Sequence, residues 1–235
     1  MIQKSFYLLA VLMLSMFISA CSSLIGIQGS KNITSENRAV NNFSSLDVAI
    51  GADIMRIQGE NESLTIETDD NILEYIQTTV QNGKLSIDIK PNTNINPSKP
   101  IKITLSFKTL SDITISGSVN MNANTLTSET LTIDASGTTD IVVNDVALET
   151  LVITTSGSGN LQFTGTATAQ TIFISGSVDI NNFGLTSETV TLDISGTGAV
   201  EVNVTNTLSV DISGDGEVRY MGNPTITKDI SGTGR

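Results

Sequence analysis

The sequence predicts an all-β chain wound as a single-stranded parallel β-helix with turns of about 20 residues, and three observations carry that prediction. The dipeptide Ser-Gly recurs seven times, at Ser116-Gly117, Ser136-Gly137, Ser156-Gly157, Ser175-Gly176, Ser195-Gly196, Ser213-Gly214 and Ser231-Gly232, with its glycines 20, 20, 19, 20, 18 and 18 residues apart. Around each glycine apolar residues alternate with polar ones: Ile113 and Ile115 precede Gly117, Val119 and Met121 follow it, and Leu208, Val210 and Ile212 precede Gly214. Period two is the signature of a strand. The composition is β-rich and poor in aromatics, with no Trp and 4% aromatic residues among 235. A one-dimensional core of this kind grows with chain length and needs no large side chains to fill a globular centre.

The alternation runs through the glycines, so Gly117, Gly137, Gly157, Gly176, Gly196, Gly214 and Gly232 share the inward parity. The expectation is a corner whose interior has no room for a side chain, or whose backbone needs dihedrals that only glycine reaches cheaply. A second glycine two residues on, at Gly159, Gly198, Gly216 and Gly234, fits the same bend. Twenty residues span a perimeter of about 66 Å, and seven turns at about 4.8 Å each rise roughly 34 Å. An antiparallel sandwich would show turn signals every 8 to 12 residues without a fixed phase. Here the phase is kept through seven units.

In chain order, residues 1–20 read as a secretory signal: Lys4 near the start, an apolar stretch from Phe6 to Phe17, then Ile18-Ser19-Ala20 before Cys21. The run Ile18-Ser19-Ala20-Cys21 resembles the bacterial lipobox, in which the cysteine is acylated and becomes the first mature residue. Cys21 is the only cysteine, so no internal disulfide forms. Loss of Lys4 leaves 11 basic against 24 acidic side chains, a balance of −13. Such a surface repels nucleic acid and anionic headgroups, so the expected contact with the membrane runs through acyl chains. Residues 21–37 are expected to be the lipidated cysteine and a flexible tether, and residues 38–235 one domain.

From Arg38 onward short strands are expected around Phe43, Leu46, Val48 and Ile50, around Ile54 and Ile57, and around Leu64 and Ile66. Ile76, Thr78 and Val80 alternate up to Asn82-Gly83, and Leu85, Ile87 and Ile89 follow, which predicts a hairpin. A short helix over 71–79 is the alternative, disfavoured by its Ile and Thr content. A polar loop from Pro91 to Pro100 then leads through Ile101, Ile103, Leu105 and Phe107 into the first Ser-Gly unit. Within the repeats, Leu126-Thr127-Ser128-Glu129-Thr130 recurs letter for letter as Leu185-Thr186-Ser187-Glu188-Thr189, which points to duplication of whole turns. The outward position three before each glycine holds Thr114, Asp134, Thr154, Phe173, Asp193, Asp211 and Asp229. Asp193, Asp211 and Asp229 would therefore stand one above another, either solvated and splayed or gathering a cation such as Ca²⁺.

Phe43-Ser44-Ser45-Leu46-Asp47-Val48, Gln58-Gly59, Leu64-Thr65-Ile66-Glu67, the repeated Ser-Gly-x-Gly units and the closing Tyr220-Met221-Gly222-Asn223-Pro224 and Ser231-Gly232-Thr233-Gly234 together resemble the auto-transporter adhesin, head GIN domain family. The resemblance covers residues from about 38 to 235 and implies a right-handed β-helix, a bacterial envelope protein, often a lipoprotein, and no established catalytic residues. Three units, at Gly117, Gly137 and Gly176, lack the second glycine, which argues against one glycine-dependent ligand site shared by every turn.

No constellation carries catalysis or a cofactor. The chain has no His, hence no imidazole base and no zinc site of the usual kind. A serine beside a repeated glycine is a turn and hydroxyl ladder far more often than a row of nucleophiles. The glycine units lack the strand-to-helix setting of a phosphate loop, and the Asp of calcium-binding nonapeptide repeats is missing. Two readings remain: a non-enzymatic, lipid-anchored module of the cell envelope, expected at the outer membrane, that adheres to a glycan or protein ligand or to itself through an open end, and a carbohydrate-active β-helix enzyme or polysaccharide binder. Three carboxylates beside exposed aromatics on one face would favour the enzyme. A uniform Thr, Ser and Asn surface would favour adhesion.

Overall fold

A computed structural model describes residues 26–235. The signal and Cys21 lie outside the described residues, among which no helix is long and apolar enough to cross a membrane. The chain is nearly all β and winds into a solenoid of stacked parallel coils of about 20 residues, about 6 turns in all.

The regular coils are built from β10 (Asp112–Ile115), β11 (Ser118–Ala123), β12 (Leu126–Ala135), β13 (Thr138–Thr155), β14 (Ser158–Ile174), β15 (Ser177–Ile194), β16 (Thr197–Ile212), β17 (Asp215–Gly222) and β18 (Thr225–Ile230). Each pairs in parallel with its equivalent in the next turn, so one inward column reads Ile113, Ile133, Ile153, Ile172, Leu192 and Val210. These residues form the apolar core that fills the coil. Each is worth about 1.5–3 kcal/mol on burial, and the alternating sequence supplies one for every second residue of strand.

Polar residues enter that core only where they are partnered. Gln170 replaces the Leu151 of the turn before it, its Nε2 donates to Ser187 Oγ at 2.7 Å, and its Oε1 accepts from Asn182 Nδ2 at 2.8 Å. The shortening of the glycine spacing from 20 to 18 has its origin next to this cluster. The register between β15 and β16 slips between Asn182 and Thr186 and again between Ser187 and Thr189, so the middle face of the later turn is two residues shorter.

The inward glycines are required, but for a different reason from either one read in the sequence. A Cβ built on Gly196 would lie 2.0 Å from the carbonyl oxygen of Gly176 in the preceding turn. The obstacle is therefore the stacked backbone and not the interior, and no unusual dihedral is involved at this position. Among the glycines of the Ser-Gly-x-Gly units, only the second glycines Gly159 and Gly198, with φ of 142° and 141°, occupy a region that side chains avoid.

The first coil has its own construction. It is formed by β3 (Ser45–Val48) and β4 (Ala52–Gln58), followed by β5 (Ser63–Asp69), the one-turn helix α1 (Asp70–Leu73), β6 (Ile76–Gln81), β7 (Lys84–Ile89) and β9 (Ile101–Phe107). The expected hairpin is β6–β7, turned at Asn82 and Gly83 with φ of 51° and 77°. The disfavoured helix exists only as α1, ahead of the strand. β7 pairs with β3 and β9 with β4, both in parallel, while β10 and β11 pair with the opposite edges of β3 and β4. The coil formed by β7 and β9 thus lies above its predecessor in sequence, and Ile101–Phe107 does not stack on the first Ser-Gly unit. Antiparallel β5 and β6 then cover the upper edges of β9 and β7, so that the sheet closes on the short strands β2 and β6 in place of the parallel coil.

The tether expected over 21–37 is also corrected over its described part. β1 (Ile27–Gln28) pairs with β8 (Ile95–Asn96), and β2 (Ile33–Arg38) pairs antiparallel with β5. A short polar segment acquires this order because side chains from 69–71 bond its backbone: Asp69 Oδ1 accepts from Lys31 N at 2.6 Å, and Asn71 Oδ1 accepts from Ser30 N at 2.8 Å. Gly29 is needed here, since any Cβ would run into the Asp69 carboxylate.

Candidate functional site

Three residues after each Ser-Gly glycine the strand points outward, and parallel stacking turns that position into a column. Its register runs Lys102, Asp53, Asn120, Asp140, Asn160 and Asp179, and Ala199 and Glu217 hold the same position in the two turns below. Carboxylates and amides alternate from turn to turn, which avoids the repulsion of like charges directly across a strand pair. The amides are spent partly on that purpose: Asn120 Nδ2 donates to Asp53 Oδ1 at 2.8 Å and Asn160 Nδ2 to Asp140 Oδ1 at 2.8 Å. Each bond engages one donor of the amide and one carboxylate oxygen, leaving the second N–H, the amide oxygen and the other carboxylate oxygen to a ligand.

A second column lies two residues further along each strand. It reads Thr104, Met55, Asn122, Val142, Gln162, Asn181, Glu201 and Arg219. Arg219 closes it at the lower end, 3.2 Å from both Glu201 and Glu217, and these two carboxylates, through a hydrogen bond from Arg219 to Glu201 first and the charge of Glu217 second, raise its pKa. The two columns shape one face with two depressions, a cleft of about 520 Å³ around Asp53, Met55, Lys102 and Asn120 and another of about 330 Å³ around Asn160, Gln162, Asp179 and Asn181. Lys102 sits 3.5 Å from Glu67 at the rim of the upper cleft, a solvent-exposed pair of small energetic weight.

The other positions singled out in the sequence lie elsewhere. Asp193, Asp211 and Asp229 do stand in register on a neighbouring face, below Phe173, which is 42% exposed. They remain exposed to solvent, and among the described residues no group of three or more acidic side chains draws together as a metal site. An aromatic and three solvent-exposed carboxylates thus share a face. The serines serve structure: the hydroxyls of Ser136, Ser175 and Ser195 each lie 3.4 Å from a carbonyl oxygen of the turn before.

Residues 42–224 match the family described as putative auto-transporter adhesin, head GIN domain. The chain belongs to this family. No curated protein matches it. Among solved structures, a putative adhesin from Bacteroides fragilis superposes with a TM-score of 0.83 at 27% identity, covering 89% of this chain and 97% of its own. A putative lipid binding protein from Parabacteroides distasonis gives a TM-score of 0.74 at 23% identity, with 90% and 98% covered. A putative adhesin from the same organism gives 0.66 at 23%, with 89% and 98% covered. Family and first neighbour support an adhesion or binding role at the cell surface or envelope.

Proposed function

We propose that the chain is a lipid-anchored adhesion module of the bacterial envelope, acylated at Cys21, that binds a neutral or amino-sugar polysaccharide along the face carrying the two columns. The observation that carries this reading is the alternation of Asp and Asn in register through five turns, which presents an Asn–Asp pair with unspent donors and acceptors every second turn, at intervals of about 9.6 Å. A repeating surface suits a repeating ligand. The apolar groups among these columns are Met55, Val142 and Ala199, and no aromatic side chain stands in either. Interfaces with folded proteins rely on a dry core rich in aromatics, so a hydroxyl-rich, hydrated ligand fits this face better. The acidic side chains set against uronate-rich polymers.

Isolated membranes from cells making the full chain are expected to retain soluble dextran or chitosan, and Cys21→Ala should move both the protein and the retained polymer into the soluble fraction. Membranes that hold no polymer above the level of untransformed cells would exclude the glycan reading, and a Cys21→Ala protein that stays with the membrane after a salt wash would exclude the anchor.

A further inference from the structure

The last coil of the solenoid carries an apolar cavity whose chemistry differs from that of the two columns. A cavity of about 290 Å³ lies under the last turn, walled by Leu208, Ile212, Val218, Tyr220, Ile226 and Ile230. Tyr220, Ile226 and Ile230 are 47%, 39% and 37% exposed there. The cavity is about twice the size of an apolar cavity that takes up benzene, roughly 150 Å³. Lys228 also lines it. It pairs in register with Val210, so it occupies the inward column that holds Ile, Leu or Val in every regular turn above. Arg235 contributes to the wall as well, but its guanidinium is held by Glu217 at 3.2 Å. Among the described residues no carboxylate comes within salt-bridge distance of Lys228.

The charge pattern sharpens the contrast. Between Lys108 and Arg219 the chain has no Lys or Arg and 13 Asp and Glu, whereas from Arg219 onward it has three basic residues and one acidic. The acidic coils thus give way to a basic last coil, whose solvent-exposed Lys228 lines the apolar cavity. A second copy of the chain is a poor occupant. Symmetric pairing of two such ends with their inward faces aligned would set Lys228 opposite its own equivalent, and an inward-pointing charge on an edge strand is a known guard against that pairing.

We propose that this cavity binds a single-chain fatty acid, its alkyl chain against Ile226, Ile230 and Leu208 and its carboxylate on the Lys228 ammonium. A compact point charge suits one carboxylate, and a cavity of this size admits one chain. This site lies on a different surface from the glycan face and does not depend on it.

Calorimetric titration of the mature chain, carrying Cys21→Ala to remove any acyl anchor, tests the assignment with decanoate, decanol and decyltrimethylammonium. Decanoate is expected to bind more tightly than the other two, and each methylene removed from it should weaken binding about fourfold. Lys228→Met restores the apolar character of the column, so folding is not threatened. It should weaken decanoate at least tenfold, leave decanol unchanged, and be rescued by Lys228→Arg. Equal binding of all three amphiphiles, or indifference of decanoate to Lys228→Met, overturns the proposal. So does a dimer in sedimentation equilibrium that decanoate fails to dissociate, which would give the cavity to a second copy.

Discussion

Arg56 is the residue least at ease in the structure. Its side chain is 2% exposed, and Nε, Nη1 and Nη2 all lack a hydrogen-bond partner. It is an inward residue of β4, with Leu105 and Ala123 in the flanking turns. Burial pushes its pKa down to about 9. An unpaired buried charge destabilises, and replacing buried ionic groups by apolar ones of similar volume commonly gains about 1–4 kcal/mol. Arg56→Met is therefore expected to raise the melting temperature at neutral pH. The penalty is complete below about pH 9 and relieved as the folded form loses its proton above that, so the gap between the two proteins should close with rising pH. A Met variant less stable than the wild type at pH 7 would show that the guanidinium is partnered in the core. The strand expected around Ile54 and Ile57 is β4. Ile54 and Ile57 are three residues apart and cannot both face inward on an unbroken strand. The structure turns Ile57 out, 57% exposed, and Arg56 in.

At the scale of elements, the strap formed by β1 and β2 depends on a few carboxylate bonds. Burial raises the Asp69 carboxyl, but hydrogen bonds from the Ser98 hydroxyl and N–H and from the Lys31 N–H outweigh it and hold the group below the usual range. Asp70 is lowered likewise, first by the Ser30 hydroxyl and then by Asn32. A depressed carboxylate contributes stability that is present above its unfolded pKa of about 4 and is lost as pH falls through the folded value. The strap should accordingly loosen in acid. At neutral pH, Asp69→Asn should speed hydrogen exchange of the amides of Ile33–Arg38 while those of β13 to β16 keep their protection. Unchanged exchange in the strap would mean that the β2–β5 pairing holds it unaided. This element was hidden in the sequence because its polar residues show no alternation, and their partners lie some 40 positions away. The β6–β7 hairpin was legible for the opposite reason, since Asn82-Gly83 is a local signal between two alternating runs. The placement of β9 above β4 was not, because nothing local distinguishes the two edges of a parallel strand.

For the molecule as a whole, the repeat phase contained more than the fold. The positions three after Gly117, Gly137, Gly157 and Gly176 are Asn120, Asp140, Asn160 and Asp179, so the alternating column could have been found by the same count that found the three aspartates. What the count lacked was the upper coil, where Asp53 and Lys102 join the column through strands with no Ser-Gly mark. Stacking converts one polar choice per turn into an extended surface, and the claim that this surface is the binding face can be tested directly. The measurement is the affinity of dextran- or chitosan-derived oligosaccharides of increasing length, by calorimetric titration, for the mature Cys21→Ala chain with and without a second substitution, Asn160→Leu or Asp211→Asn. Affinity should rise with ligand length until the ligand spans the columns. Asn160→Leu should cost the long ligands about tenfold or more by removing hydrogen bonds and adding bulk at mid-column, while Asp211→Asn on the neighbouring face should change nothing. Affinity independent of length, or loss in Asp211→Asn with none in Asn160→Leu, would contradict the account.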